Sequence, residues 1–101
     1  MPRLVYSPAA KEDMRGTIRW IAAENPDAAD NWYSKTKQRC RLLARYPKLG
    51  EVWGTAYGLT VRIFSHGSYV ILYCERGSKL EIIRVVRGDR DLDSLDIEGG
   101  R

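Results

Sequence analysis

Apolar residues fall into two rhythms along this chain. Between positions 8 and 45 they recur every three or four residues, and between 59 and 86 they come in short, nearly continuous runs. The first rhythm is that of helices laid against a core, the second that of buried strands. Ala10, Met14, Ile18 and Ile21 make one helical stripe, and Ser7-Pro8 ahead of it reads as N-cap and first helical residue. A helix is therefore expected from about Pro8 to Glu24, with Glu12 and Asp13 early enough to favour its dipole. Asn25-Pro26-Asp27 repeats the same start signal, and Ala29, Tyr33, Thr36, Cys40 and Leu43 make a second stripe. Tyr46-Pro47 ends it, because proline pushes the preceding residue out of helical geometry. With almost no linker between them, the two helices must form an antiparallel hairpin.

Arg3 to Tyr6 is a short β-prone run, and Leu59–Phe64, Tyr69–Cys74 and Leu80–Val86 read as three further strands rich in Val, Ile, Tyr and Leu. The connections Ser65-His66-Gly67-Ser68 and Glu75-Arg76-Gly77-Ser78-Lys79 each carry glycine and are short enough to force an antiparallel meander. Lys48 to Gly58 holds three glycines with Trp53 and Tyr57, and reads as an irregular connection with room for one helical turn. The order is β-α-α-β-β-β: an α+β class in which the helical hairpin packs on one face of a small antiparallel sheet. The other face stays partly open, leaving room for function. Residues 1–101 are expected to form one domain, with a polar, acidic tail from about Asp89 that is extended or briefly helical.

Hydrophobic residues make up 44% and charged residues 30% of the chain, the balance of a folded protein and not of a disordered one. No apolar run reaches the roughly 20 residues of a membrane span, and the first residues lack a signal-peptide core, so a cytoplasmic protein is expected. Cys40, Cys74 and His66 fit no zinc or redox motif; two reduced core cysteines, no metal and no cofactor are expected. The net charge of +4 mildly favours an anionic partner. The charge is uneven. Lys35, Lys37, Arg39, Arg41, Arg45 and Lys48 crowd the stretch from Lys35 to Lys48 without an acid, whereas Asp89, Asp91, Asp93, Asp96 and Glu98 mark the tail. These are either two contact surfaces or two solvated faces.

Four segments together resemble a known family: YSPAAKEDM, ENPDAADNWYSKTKQRCRLLARYPKLG, VRIFSHGSYVILYCE and EIIRVVRGDRDL. They are similar, in order and spacing, to the RelE/ParE toxins of type II toxin–antitoxin systems, over about Val5 to Leu92 and closest to the ParE branch. The resemblance implies a bacterial toxin that binds and poisons DNA gyrase, held silent in a hetero-oligomeric complex by a cognate ParD-like antitoxin. The alternative within the superfamily is a RelE-like nuclease that cuts messenger RNA on the ribosome. That branch carries an arginine early in the middle strand, where this chain has Val70, and one after the terminal glycine, which Arg90 preserves. Arg87 stands where many relatives have histidine, and no tyrosine follows Tyr73. The set for RNA cleavage is incomplete, which favours a protein that works by binding.

Arg62, Arg84, Arg87 and Arg90 would hold phosphate under the nuclease reading and a partner's carboxylates under the binding one. By strand alternation Arg84 shares a face with Leu80, Ile82 and Val86, an odd place for a charge. It is expected to pair with an antitoxin carboxylate, with a tail acid such as Asp91 or Asp93, or with an RNA phosphate. Lys37, Arg41 and Arg45 form an i, i+4, i+8 column that is either a solvated face or a dock for an acidic protein or DNA. Trp20 and Trp32 lie off the core stripes and are expected to mark an interface, or to pack on Trp53 or each other. His66 is expected to be exposed in its turn and to serve no catalytic role.

Overall fold

The computed structural model describes residues 2–90, 92–95 and 97. Strand β1 (Arg3–Tyr6) leads into helices α1 (Pro8–Ala22) and α2 (Pro26–Arg45). Both helices start as their caps dictate. The Ser7 hydroxyl accepts from the Ala10 amide at 2.9 Å and the Asn25 side chain from the Ala28 amide at 3.0 Å. Each cap is followed by a proline that has no amide to leave unpaired. Glu12 and Asp13 fall beyond the first turn of α1, so the dipole gains little from them.

Four strands follow: β2 (Glu51–Ala56), β3 (Leu59–His66), β4 (Tyr69–Arg76) and β5 (Lys79–Arg87). Strand β2 corrects the expectation of an irregular connection. Its signature is weak because the register slips between Val52 and Gly54 and because Val52 is 64% exposed at a sheet edge. The β2–β3 turn sets both Tyr57 and Gly58 at positive φ, as a two-residue hairpin of type I′ requires and as tyrosine rarely does.

The sheet order is β1-β5-β4-β3-β2. β3, β4 and β5 form the antiparallel meander, β2 extends it, and β1 lies parallel to β5. The sheet is therefore five-stranded and mixed, and not antiparallel throughout. The α+β plan holds, with the hairpin on one face. There Ala10, Met14, Cys40, Leu43 and Ala44 pack on Ile71, Tyr73, Leu80, Ile82 and Val85. Each large apolar side chain buried this way contributes about 1.5–3 kcal/mol. Tyr33, expected in the second stripe, is 41% exposed, and Trp32 packs against the core instead. On the opposite face Ala56, Val61, Leu72, Cys74 and Ile83 form a second cluster. Leu95 and Ile97, next to a short 3-10 turn over Leu92–Ser94, partly close that face. Asp91, Asp96, Glu98 and the terminal glycines lie outside the described residues.

One irregularity in β5 decides the fate of Arg84. Leu72 faces Arg84 and Tyr73 faces Ile82, so Ile83 is an extra residue between them. The bulge shifts the alternation. Ile82 and Val85 face the helices, Ile83 joins the opposite cluster, and Arg84 is released from the core face on which simple alternation placed it.

Candidate functional site

Two grooves flank the helical hairpin, and most of the candidate residues divide between them. The first, of roughly 580 Å³, lies between α1 and the end of β5 and is lined by Trp20, Tyr69, Arg87 and Arg90 among others. Asp13 also lines it, and behind that side chain lies an ion pair. Strand β1 ends opposite Ile82, and from there α1 serves the bare edge of β5. The Ser7 hydroxyl donates to the Ile83 carbonyl at 2.7 Å, and the Asp13 carboxylate accepts the Val85 amide at 3.0 Å. The same carboxylate takes Arg84 in a fork, from Nε at 2.7 Å and from Nη2 at 2.8 Å. Both side chains are largely buried, at 15% and 13% exposure. Asp13 therefore holds Arg84, in place of the tail acid or partner carboxylate expected for it. These hydrogen bonds raise the guanidinium above its ordinary pKa, so it stays charged at any working pH.

Arg87 donates from Nε and Nη2 to Asp89, both at 3.3 Å. That exposed pair raises the arginine's pKa and lowers the carboxylate's. Trp20 stands 70% exposed at the groove's rim. Gly16, one turn before it, has only the Arg19 guanidinium, 4.0 Å away, near the place where a Cβ would be. Trp32 is instead half-buried. It meets the Tyr69 ring edge-on at 5.2 Å and lies 6.3 Å from the His66 ring. The tryptophans form no ring pair with each other among the described residues, and Trp53 belongs to the opposite cluster.

His66 is buried at 8% exposure, at the end of β3, which corrects the expectation of an exposed turn. Thr36 Oγ1 donates to the Trp32 carbonyl at 2.7 Å, so its oxygen accepts from His66 Nε2–H at 2.9 Å. Burial lowers the imidazole's pKa first, with Arg39 and Lys35 adding to it. Arg62 serves another brace. Its Nη1 donates to the Gly50 carbonyl at 2.8 Å. The Tyr73 hydroxyl accepts from the Gly50 amide at 2.8 Å and donates to the Pro47 carbonyl at 2.7 Å. A Cβ at Gly50 would stand 2.7 Å from both Ile63 O and Tyr73 Oη, so only glycine fits.

The second groove, of roughly 710 Å³, lies between β1 and α2 and gathers Lys37, Arg41 and Arg45 with Arg3. Lys37 Nζ sits 5.0 Å from the Tyr6 ring centre and 5.4 Å from that of Tyr33, cation–π distances. Behind it, burial pushes the Cys40 thiol up to about 11, consistent with an inert core cysteine. Among the described residues no group of three or more His, Cys, Asp or Glu side chains is placed to hold a metal ion. The residues missed from sequence are Asp13, Tyr69, Arg3 and Gly50. Asp13 was the most findable, since it adjoins Met14 on the buried stripe.

A family model described as the ParE toxin of type II toxin-antitoxin systems, parDE, matches residues 4–92. Among solved structures the fold is similar to a chain from the chromosomal ParDE TA system of P. aeruginosa. The TM-score is 0.68 at 15% identity, covering 86% of this chain and 96% of that one. No curated protein matches the sequence. No helix among the described residues is long and apolar enough to cross a membrane.

Proposed function

The chain belongs to the ParE toxin family of type II toxin–antitoxin systems, and from that premise we propose that it acts by binding DNA gyrase in the cytoplasm, neutralised by a cognate ParD-like antitoxin. It does so as one domain and makes or breaks no covalent bond in its target. The observation that carries this reading is the state of the arginines that a nuclease would need. Arg84 is forked onto Asp13, Arg62 is spent on the Gly50 carbonyl, and Arg87 is paired with Asp89. A phosphate clamp requires cations that converge on one point with free donors. Arg62 lines a separate small pocket with Lys48 and Thr60, apart from the groove of Arg87 and Arg90. Two groups that could move a proton are also engaged: His66 is buried against Thr36, and the Tyr73 phenol lies between Gly50 and Pro47.

The test is direct. Purified chain is added to gyrase with relaxed plasmid, and in parallel to ribosomes carrying a defined message. Loss of supercoiling, or cleaved DNA trapped on gyrase, with the message intact is the expected result. Untouched gyrase with a cut message would overturn the reading in favour of a RelE-like nuclease.

A further inference from the structure

No contact among the described residues accounts for Gly16. It sits near the middle of the 15-residue helix α1, where glycine costs stability relative to alanine. Glycine is normally kept where φ is positive or where a neighbour comes too close for a Cβ. Neither holds here. The described glycines at positive φ are Gly58, Gly67 and Gly77. A Cβ at Gly50 would strike Ile63 and Tyr73, whereas one at Gly16 would meet only the flexible end of Arg19, at 4.0 Å. The space over Gly16 is therefore held open for nothing that the described chain supplies.

That notch opens into the groove between α1 and the end of β5. One turn further on, Trp20 is the most exposed large hydrophobic side chain among the described residues. No ring or cation packs on it among those residues. Val85 and Val86 give the groove an apolar floor. Arg90 also lines it and makes no ion pair among the described residues, unlike Arg19 and Arg87 beside it. Tryptophan, tyrosine and arginine are the residues that carry most of the binding energy in protein interfaces, and Tyr69 completes that set here.

We propose that this groove is the face the toxin turns to gyrase, an inference that rests on the gyrase reading above. A protruding apolar side chain of the enzyme seats on the Gly16 backbone beside Trp20, and an acidic neighbour of that side chain pairs with Arg90. The missing Cβ lets such a knob reach the helix backbone itself. Two features select a folded protein as the occupant. The lining mixes signs, with Glu12, Asp13 and Asp89 among the arginines, so a nucleic acid would set its phosphates against carboxylates. The sheet edge is also already served, because Asp13 takes the Val85 amide and Ser7 the Ile83 carbonyl. An extended segment that orders as it binds gains from main-chain pairing and would find those two groups taken. A knob on a preformed surface needs neither.

The experiment measures the toxin concentration that halves supercoiling by gyrase, for the full chain and for its Trp20→Ala and Gly16→Gln variants, with a thermal melt of each protein alongside. Glutamine fills the notch and is a better helix former than glycine. Gly16→Gln should therefore melt a few degrees higher and yet require about 10-fold more protein for the same inhibition. Trp20→Ala should require about 30-fold more, the loss typical of an interfacial anchor, with its melting point unchanged because the ring is exposed. Folded variants as potent as the wild type overturn the proposal while the gyrase reading stands. A Gly16→Gln chain that melts lower also overturns it, since the fold itself would then need the glycine. Antitoxin affinity, self-association or duplex DNA binding lost in Trp20→Ala, with potency against gyrase intact, gives the groove to another occupant and overturns it too. If the wild-type chain leaves gyrase untouched, the gyrase reading fails and the groove's role with it, and that outcome is distinct from the others.

Discussion

The two grooves on either side of the helical hairpin are built from similar residues and put them to opposite use. Beside α1, Arg84 is tied to Asp13, Arg87 to Asp89 and Arg19 to Glu12. Beside β1, Arg3, Lys37, Arg41 and Arg45 make no ion pair among the described residues. A buried cation forked onto a carboxylate of its own chain, as Arg84 is, does structural duty, whereas one exposed to water costs little unpaired and remains available to something else. The contrast separates the arginines that hold the fold from those that can recognise a partner, a distinction that residue type alone does not make.

The sharpest way to break the contrast is to cut the inner pair. Asp13→Ala leaves the Arg84 guanidinium largely buried without its carboxylate and frees the Val85 amide. Urea unfolding should show a loss of about 3–5 kcal/mol, the usual result when one member of a buried pair is removed. A loss below about 1 kcal/mol would mean that Arg84 has another outlet and that the first groove is no more structural than the second. Acid gives a smaller and graded effect. The His66 pKa is lowered from 6.5 in the folded chain, so just below that pH the unfolded chain binds a proton that the native one does not. Stability should therefore fall as pH drops through about 6.5 and level off once the folded imidazole itself titrates. His66→Gln should flatten that limb of a melting-temperature profile; a profile unchanged by the substitution would place the titration elsewhere. On the other groove, Arg41→Gln with Arg45→Gln should change the unfolding free energy by no more than about 0.5 kcal/mol, as surface changes away from packing do. A larger loss would show that these cations do structural work after all. The smallest effect is expected for Asp89→Asn. Its pair with Arg87 is exposed on both sides, and the thermal midpoint should not move measurably at physiological salt.

Much of the fold could be read from the chain because it is encoded locally. Ser7-Pro8 and Asn25-Pro26 announce their helices within four residues, and Gly67 and Gly77 mark turns at positive φ. What escaped depended on distant residues or on unusual local ones. β2 hides behind a bulge and a turn that puts Tyr57 in a glycine-like conformation. β1 finds its partner at the far end of the chain, and Asp13 lies 71 residues from Arg84, beyond any periodic pattern. The candidate site was legible in part. Residue type and helical spacing identified the α2 column, because spacing along one helix is preserved on folding. The fate of Arg84 turned on one extra residue in β5, which shifts the alternation and which sequence patterning cannot locate.

The parallel pairing of β1 with β5 also sets a schedule for synthesis. Arg3 cannot meet Lys79 until that residue has been added and has emerged from the ribosome, and its addition alone takes roughly 4–16 s at about 5–20 residues per second. Until then α1 and α2 can form as a hairpin, but β1 has no neighbour, Asp13 has no Arg84 to hold, and the groove beside α2 has no second wall. Contacts of such long sequence separation close late and slowly. Any surface that needs β1 and α2 together is therefore absent from the early nascent chain and complete only once β5 is in place.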